Sequence, residues 1–303
     1  MTLQVVQRLP DGVVRCVVAS PVGALEPGMP VLSEGRMQTP VSDAAFDRSV
    51  RLLTGPPAAP GTPAEPLETG IKVIDVMCPL VRGGTAAIAG ELRAGATVVT
   101  EELVRRLSGG SAGVSLFTLV PWTPIPLAES LKKDGYSEGP GGAVQIFFLR
   151  SVEGPWTPAQ LAGLAGVDVV IRLSAQLAAR GIYPTVDPLT SRSRLLESGG
   201  LGREHVELAS RIRKALGALL APAAETPPAD ALTLERAEKL LRFFAQPFYV
   251  AEPYTKRPGV AVDLAESLRV CREILDGVHD AVPARAFYFT GGLGAVMEQA
   301  AAP

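Results

Sequence analysis

The stretch whose residue types and spacing point most directly to chemistry is TAAIAG followed by GELRAGAT and then a helical pattern. A strand, a glycine-bounded loop and a helix in that order is where a phosphate-binding loop belongs, because backbone N–H groups and the helix N-terminus together favour an anion. Gly90, Gly95 and Thr97 match the spacing of two glycines followed by a lysine and a hydroxyl residue, but Ala96 stands at the lysine position. A charged donor to phosphate contributes on the order of 1.5–3 kcal/mol per hydrogen bond, and here it is missing. The loop interior holds Glu91, Leu92 and Arg93, so a carboxylate stands close to where phosphate would lie. Arg93 could supply positive charge, although its planar fork and its place in the loop differ from those of the lysine. Two readings therefore stand: a remnant with weak ligand contact, or glycines that only shape a tight β-to-α turn.

Three cysteines (Cys16, Cys78, Cys271) and two histidines (His205, His279) lie far apart along the 303 residues. That scatter predicts buried thiols and ordinary surface imidazoles, with no metal site. Asp168, in the run VDVVIRLS, could be a metal-side carboxylate.

These residues need elements to position them. Short β-branched runs alternating with turn signals in the first 54 residues predict a small β-barrel-like domain. Residues 55–67, rich in Pro, Gly and Ala, read as a linker. From 68 to 200 continuous apolar runs alternate with helical patterns, which predicts an α/β core with a parallel sheet covered on both faces. From 201 to 303 the pattern is helical, with Val206, Ala209, Ile212, Leu216 and Leu219 marking one face and Gly277 at an expected C-cap. The Pro-rich stretch from Pro222 to Asp230 reads as a loop.

With 47% hydrophobic residues the chain can bury a substantial core in two or three folding units. Its 29 Lys+Arg and 31 Asp+Glu are interspersed and give a net charge of -2, which argues against nucleic acid as a partner. No run approaches the roughly 18 apolar residues of a membrane span, so direct membrane insertion is not expected and a cytoplasmic location is.

Three blocks carry a family resemblance. ETGIKVIDVMCPLVRGG (68–84), LSAQLAARGIYPTVDPLTSRSRLL (173–196) and the pair ERAEKLLRFFAQPFYVAEPYT and REILDGVHDAVPARAFYFTGG resemble, in the same order, segments of the beta subunit of F-type ATP synthase. The resemblance spans nearly the whole chain and implies a reduced RecA-like nucleotide-binding core between the β-barrel-like domain and a C-terminal helical domain. Carried over position by position, it implies an adenine pocket formed by Tyr183, Phe243, Ala245 and Phe248, although those side chains could equally fill core or interface space.

The catalytic parts of the family are not matched. Where the family carries a glutamate and an arginine, VPWTPIPL places Trp122 and Thr123, and loss of a general base is worth about 10²–10⁴ in rate. The strand whose aspartate would hold the magnesium shell is missing from the shortened stretch before Val167. The resemblance aligns Asp168 with an aspartate near the start of a family segment, which implies a capping or structural role for it instead. No catalytic residue is assigned. Stacking is worth roughly 1–3 kcal/mol per base, against about 4 kcal/mol for a millimolar complex, so ADP or ATP would be bound weakly if at all. The expectation is a catalytically inactive pseudo-ATPase serving as a structural or adaptor protein. The alternatives are a non-hydrolysing adenine-nucleotide regulator and a residual ATPase that depends on a partner in a mixed ring. A homo-oligomer, an ATP synthase alpha-like subunit or an unidentified protein are the partners this implies.

Overall fold

The computed structural model describes residues 3–8, 14–18, 38–40, 64–91, 93–108, 114–119, 136–138, 144–152, 164, 166–197, 200–220 and 230–302. The chain divides into two compact units, residues 1–36 and 37–303. In the first, β1 (Leu3–Arg8) and β2 (Val14–Val18) form an antiparallel ladder with a register shift between Val5 and Gln7. Among the described residues no set of strands closes into a barrel. Most of the 55–67 stretch read as a linker lies outside the described residues, as does the boundary placed at residue 54.

The second unit is mixed α/β. Its strands are β3 (Gln38–Pro40), β4 (Pro66–Leu67), β5 (Leu80–Val81), β6 (Gly84–Glu91), β7 (Val114–Leu119), β8 (Tyr136–Glu138), β9 (Val144–Val152), β10 (Val169–Leu173) and β11 (Arg192–Ser193). Its helices are α1 (Lys72–Met77), α2 (Ala96–Ser108), α3 (Ala175–Ala179), α4 (Arg194–Glu197), α5 (Arg203–Leu220), α6 (Ala231–Phe244), α7 (Glu252–Thr255), α8 (Leu264–Asp276) and α9 (Leu293–Ala301). Seven strands form one sheet in the order β11-β10-β6-β9-β7-β8-β3, in which β10, β6, β9 and β7 run parallel and the outer pairings are antiparallel. The chain moves outward from β6 to β7, returns through β9 between them, and then passes to β10 on the other side of β6. In an open α/β sheet, the crevice beyond the carboxyl ends of strands at such a reversal is where ligands bind.

The run TAAIAG is buried on both faces within β6, which is why it shows no polar alternation. In α2 the apolar side chains Val99, Leu103 and Leu107 recur every fourth residue and are buried, while Thr97, Val98, Glu101 and Arg105 face outward. Asp230 caps α6 by accepting from the Thr233 amide, and Asp263 caps α8 by accepting from that of Glu266. Gly277 closes α8 with φ +85°, as its place in the sequence predicts. The buried face of α5 is His205, Leu208, Ala209, Ile212, Ala215 and Leu216, rotated slightly from the predicted stripe so that Val206 and Leu219 are only half-buried. No helix among the described residues is long and apolar enough to cross a membrane.

Candidate functional site

β6 delivers the chain to the sheet's carboxyl edge with Gly90 beside Leu173 of β10, and α2 begins at Ala96. Between them Arg93 (φ 66°) and Gly95 (φ 75°) both adopt the left-handed region. A glycine tolerates that conformation freely, whereas a residue with a side chain is strained by roughly 1–2 kcal/mol. The Ala94 amide donates to the Glu91 carbonyl at 3.1 Å, and the Thr185 hydroxyl donates to the Ala94 carbonyl. Gly90 answers a different demand, because a Cβ there would stand 3.1 Å from the Ala96 methyl and 3.5 Å from the Leu173 Cβ. The Ala96 side chain is thus seated against Gly90 with only 5% of the residue exposed. Thr97 and Arg93 face solvent.

One charged side chain at this edge lies within an apolar run. Arg172 lies on β10 opposite Ala89, and its Nε is buried without a hydrogen-bond partner. Burial lowers its pKa, and the nearby carboxylates of Asp187 and Glu91 oppose that shift. Its signal in the sequence was a lone arginine inside VVIRL.

Of the residues assigned by resemblance to the adenine side, Tyr183 stands two positions before Thr185, whose hydroxyl meets the turn. Tyr183 enters a cis peptide bond with Pro184, and its carbonyl accepts from the Gln246 amide at 2.9 Å, which joins it to the segment after α6. The Tyr183 residue is 45% exposed. Phe243 and Ala245 have no exposed surface and Phe248 has 5%. The Lys72 ammonium lies 4.1 Å from the centre of the Phe243 ring, and the Arg106 guanidinium 5.8 Å from that of Phe248. Of the four, Tyr183 alone offers an open face, and a base clamped between all of them would have to displace existing protein contacts.

Asp168 sits elsewhere. Its Oδ2 accepts from the Thr85 amide (2.9 Å) and hydroxyl (3.0 Å), and its Oδ1 from Arg194 Nε (2.7 Å). These contacts lie at the start of β6, about 16 Å from Gly90 at roughly 3.3 Å per residue, so the carboxylate is structural and does not face the turn. Trp122, Thr123 and residues 153–163, which bear on the water-activating and magnesium positions, lie outside the described residues.

The histidines correct an expectation: both are buried. His205 Nε2 meets the Val76 carbonyl at 2.9 Å, and His279 Nε2 meets Glu273 Oε2 at 2.8 Å. His205 lies within α5 and His279 in the turn after the α8 cap, where burial is set by facing partners that spacing does not reveal. Cys78 and Cys271 are buried, and burial pushes both thiols up to about 12. Among the described residues no three His, Cys, Asp or Glu side chains are placed to hold a metal ion.

Farther along α2 is a polar framework that the sequence hid. Glu102 of α2 is fully buried, pairs with Arg106 Nε at 2.7 Å, and accepts from the amides of Tyr249 and Val250. Arg106 donates onward to the carbonyls of Thr69, Gly70 and Val260. Gln246 donates to those of Gly70 and Val260 and accepts from the Lys72 amide. A surface cavity of about 280 Å³ on α5 and α8 is lined by Glu204, Glu207, Leu208, Arg211 and Arg272, none of them a sequence-predicted site residue. No protein-family model matches the chain.

Proposed function

We propose that this chain is a catalytically inactive pseudo-ATPase, similar to the beta subunit of F-type ATP synthase, that acts in the cytoplasm as a structural or adaptor protein. The observation that carries this reading is the seating of Ala96. At the position where a phosphate loop would present a lysine ammonium, a methyl group is buried against Gly90. The Ala94 carbonyl of the same turn is engaged by Thr185. Phosphoryl transfer relies on positioned charge, and the turn holds its shape through its own packing, with Glu91 at the end of β6 and its carboxylate near Arg172. A reduced RecA-like core is supported by the parallel order β10-β6-β9-β7 with the glycine turn at the end of β6.

The test is isothermal titration of the whole chain with ADP and ATP, each with and without magnesium, beside a phosphate-release assay. No heat of binding at millimolar nucleotide and no phosphate release are expected. Micromolar binding strengthened by magnesium would overturn the reading.

A second reading, a non-hydrolysing adenine-nucleotide regulator, is favoured by the 45% exposure of Tyr183, whose backbone carbonyl is fixed by the Gln246 amide. It requires saturable nucleotide binding that Tyr183→Ala abolishes while the unfolding transition stays in place. A residual ATPase in a mixed ring would instead stay silent alone and turn over only when an alpha-like subunit is added.

A further inference from the structure

Every side chain of α1 is buried, and two of them are ionisable. Lys72 and Asp75 stand three residues apart, a spacing that suits an ion pair on a helix, yet they turn to different partners. Lys72 Nζ donates to the carbonyls of Thr290 (2.7 Å), Gly291 (3.2 Å) and Ala245 (3.5 Å) and lies over the Phe243 ring. The Asp75 carboxylate accepts from the Thr69 amide (2.9 Å), the Thr69 hydroxyl (2.7 Å) and the Gly70 amide (2.8 Å). Each is held by neutral dipoles, and a charge removed from water without a counter-ion leaves the folded state under strain.

Other titratable groups close on α1 from each packed element. Cys271 of α8 faces Lys72, with its thiol pushed up to about 12. Glu68 and Cys78 act on and around Asp75 from the flanking chain. Arg106 of α2 holds the carbonyls of Thr69 and Gly70, while Arg213 and His205 of α5 meet those of Met77 and Val76.

We propose that α1 is a proton-sensitive docking element, seated least firmly when Lys72 and Asp75 are both charged, and tightened when Asp75 takes up a proton or Lys72 gives one up. Burial lowers the Lys72 amine to about 7, with Cys271 opposing slightly. Burial raises the Asp75 carboxyl to about 7 against the pull of the Thr69 and Gly70 hydrogen bonds. From about pH 4 to 7 the folded chain keeps a proton on Asp75 that the unfolded chain has released, so this group's contribution to stability falls as pH rises. From about pH 7 to 10 the unfolded chain keeps a proton on Lys72 that the folded chain has lost, so that group's contribution grows as pH rises. The two limbs meet in a minimum near neutrality, where most proteins are at their firmest.

Urea unfolding of the whole chain between pH 5 and 9 tests this, with Lys72→Met and Asp75→Asn alongside. In the parent chain the folding constant is expected to pass through a minimum near neutral pH, with each limb approaching about ten-fold per pH unit. Relative to the parent, Lys72→Met loses the alkaline limb and Asp75→Asn loses the acid limb. Parallel pH profiles in all three proteins would overturn the proposal. Should a variant fail to fold, native-state hydrogen exchange of the parent at the Lys72, Asp75 and Cys78 amides serves instead. Protection lowest near neutrality supports the proposal, and protection that is flat or highest there overturns it.

Discussion

The Thr185 hydroxyl donates to the carbonyl of Ala94, ninety-one positions earlier in the chain, and both residues are buried. This one bond ties the segment after α3 to the turn between β6 and α2. Thr185→Val keeps the shape but leaves the Ala94 carbonyl without this donor, a loss of about 1–3 kcal/mol. A lower urea midpoint with unchanged slope is the expected result, and Thr185→Ser, which keeps the hydroxyl, should recover most of it.

Restoring the lysine should not restore an ATPase. Ala96→Lys drives a long chain into a site where the methyl already packs on Gly90. Overpacking of this kind costs about 1–3 kcal/mol. Denaturation should report that loss, and a phosphate-release assay with magnesium and ATP should stay at background.

Asp168→Ala removes the shared acceptor of Thr85 and Arg194, whose carboxylate is 13% exposed and whose guanidinium is 16% exposed. A loss of about 3 kcal/mol is expected, as for other largely buried charge pairs broken from one side. Because these contacts lie at the start of β6, calorimetric titration with nucleotide should give the same result before and after the change.

His205 makes acid destabilising. Burial lowers its pKa, and the Val76 carbonyl only partly opposes this. The unfolded chain therefore binds a proton, below about pH 6.5, that the folded chain resists, so this group's contribution to stability drops as pH falls through that range and offsets part of the gain from Asp75. The melting temperature of His205→Gln relative to that of the parent chain should therefore rise as the pH is taken from 7.5 to 5.

Much of the second unit was legible because its elements announce themselves locally. TAAIAG reads as a two-face-buried strand, and Gly277 as a cap, from composition and neighbours alone. Gly95 was legible as a turn residue, whereas Gly90, read as one with it, is the last but one residue of β6 and is required there by space. The buried polar groups were hidden for the opposite reason. Lys72, Glu102 and Gln246 look like ordinary surface residues in sequence, and their partners stand 173 or more positions away for Lys72, 147 or 148 for Glu102's backbone contacts, and 176 for the Gln246–Gly70 bond. Burial of a charge is decided by such distant dipoles, which leave no periodic trace along the chain. Tyr183, Phe243, Ala245 and Phe248 share one neighbourhood, but only solvent exposure separates the open ring from the three packed side chains.

The way Glu102 grips the amides of Tyr249 and Val250 has a bearing on how this chain can be cut. A shortened protein ending before α6 would leave Glu102 with Arg106 but without the Tyr249 and Val250 amides, strip the Lys72 ammonium of its carbonyl partners and open the apolar face of α1 to water, and a fragment starting at α6 would lose the groups that pin its first loop. Neither half is self-sufficient. Expression of the sheet region or the helical region alone should give insoluble or protease-sensitive material, and co-expression of the two pieces should rescue both through fragment complementation.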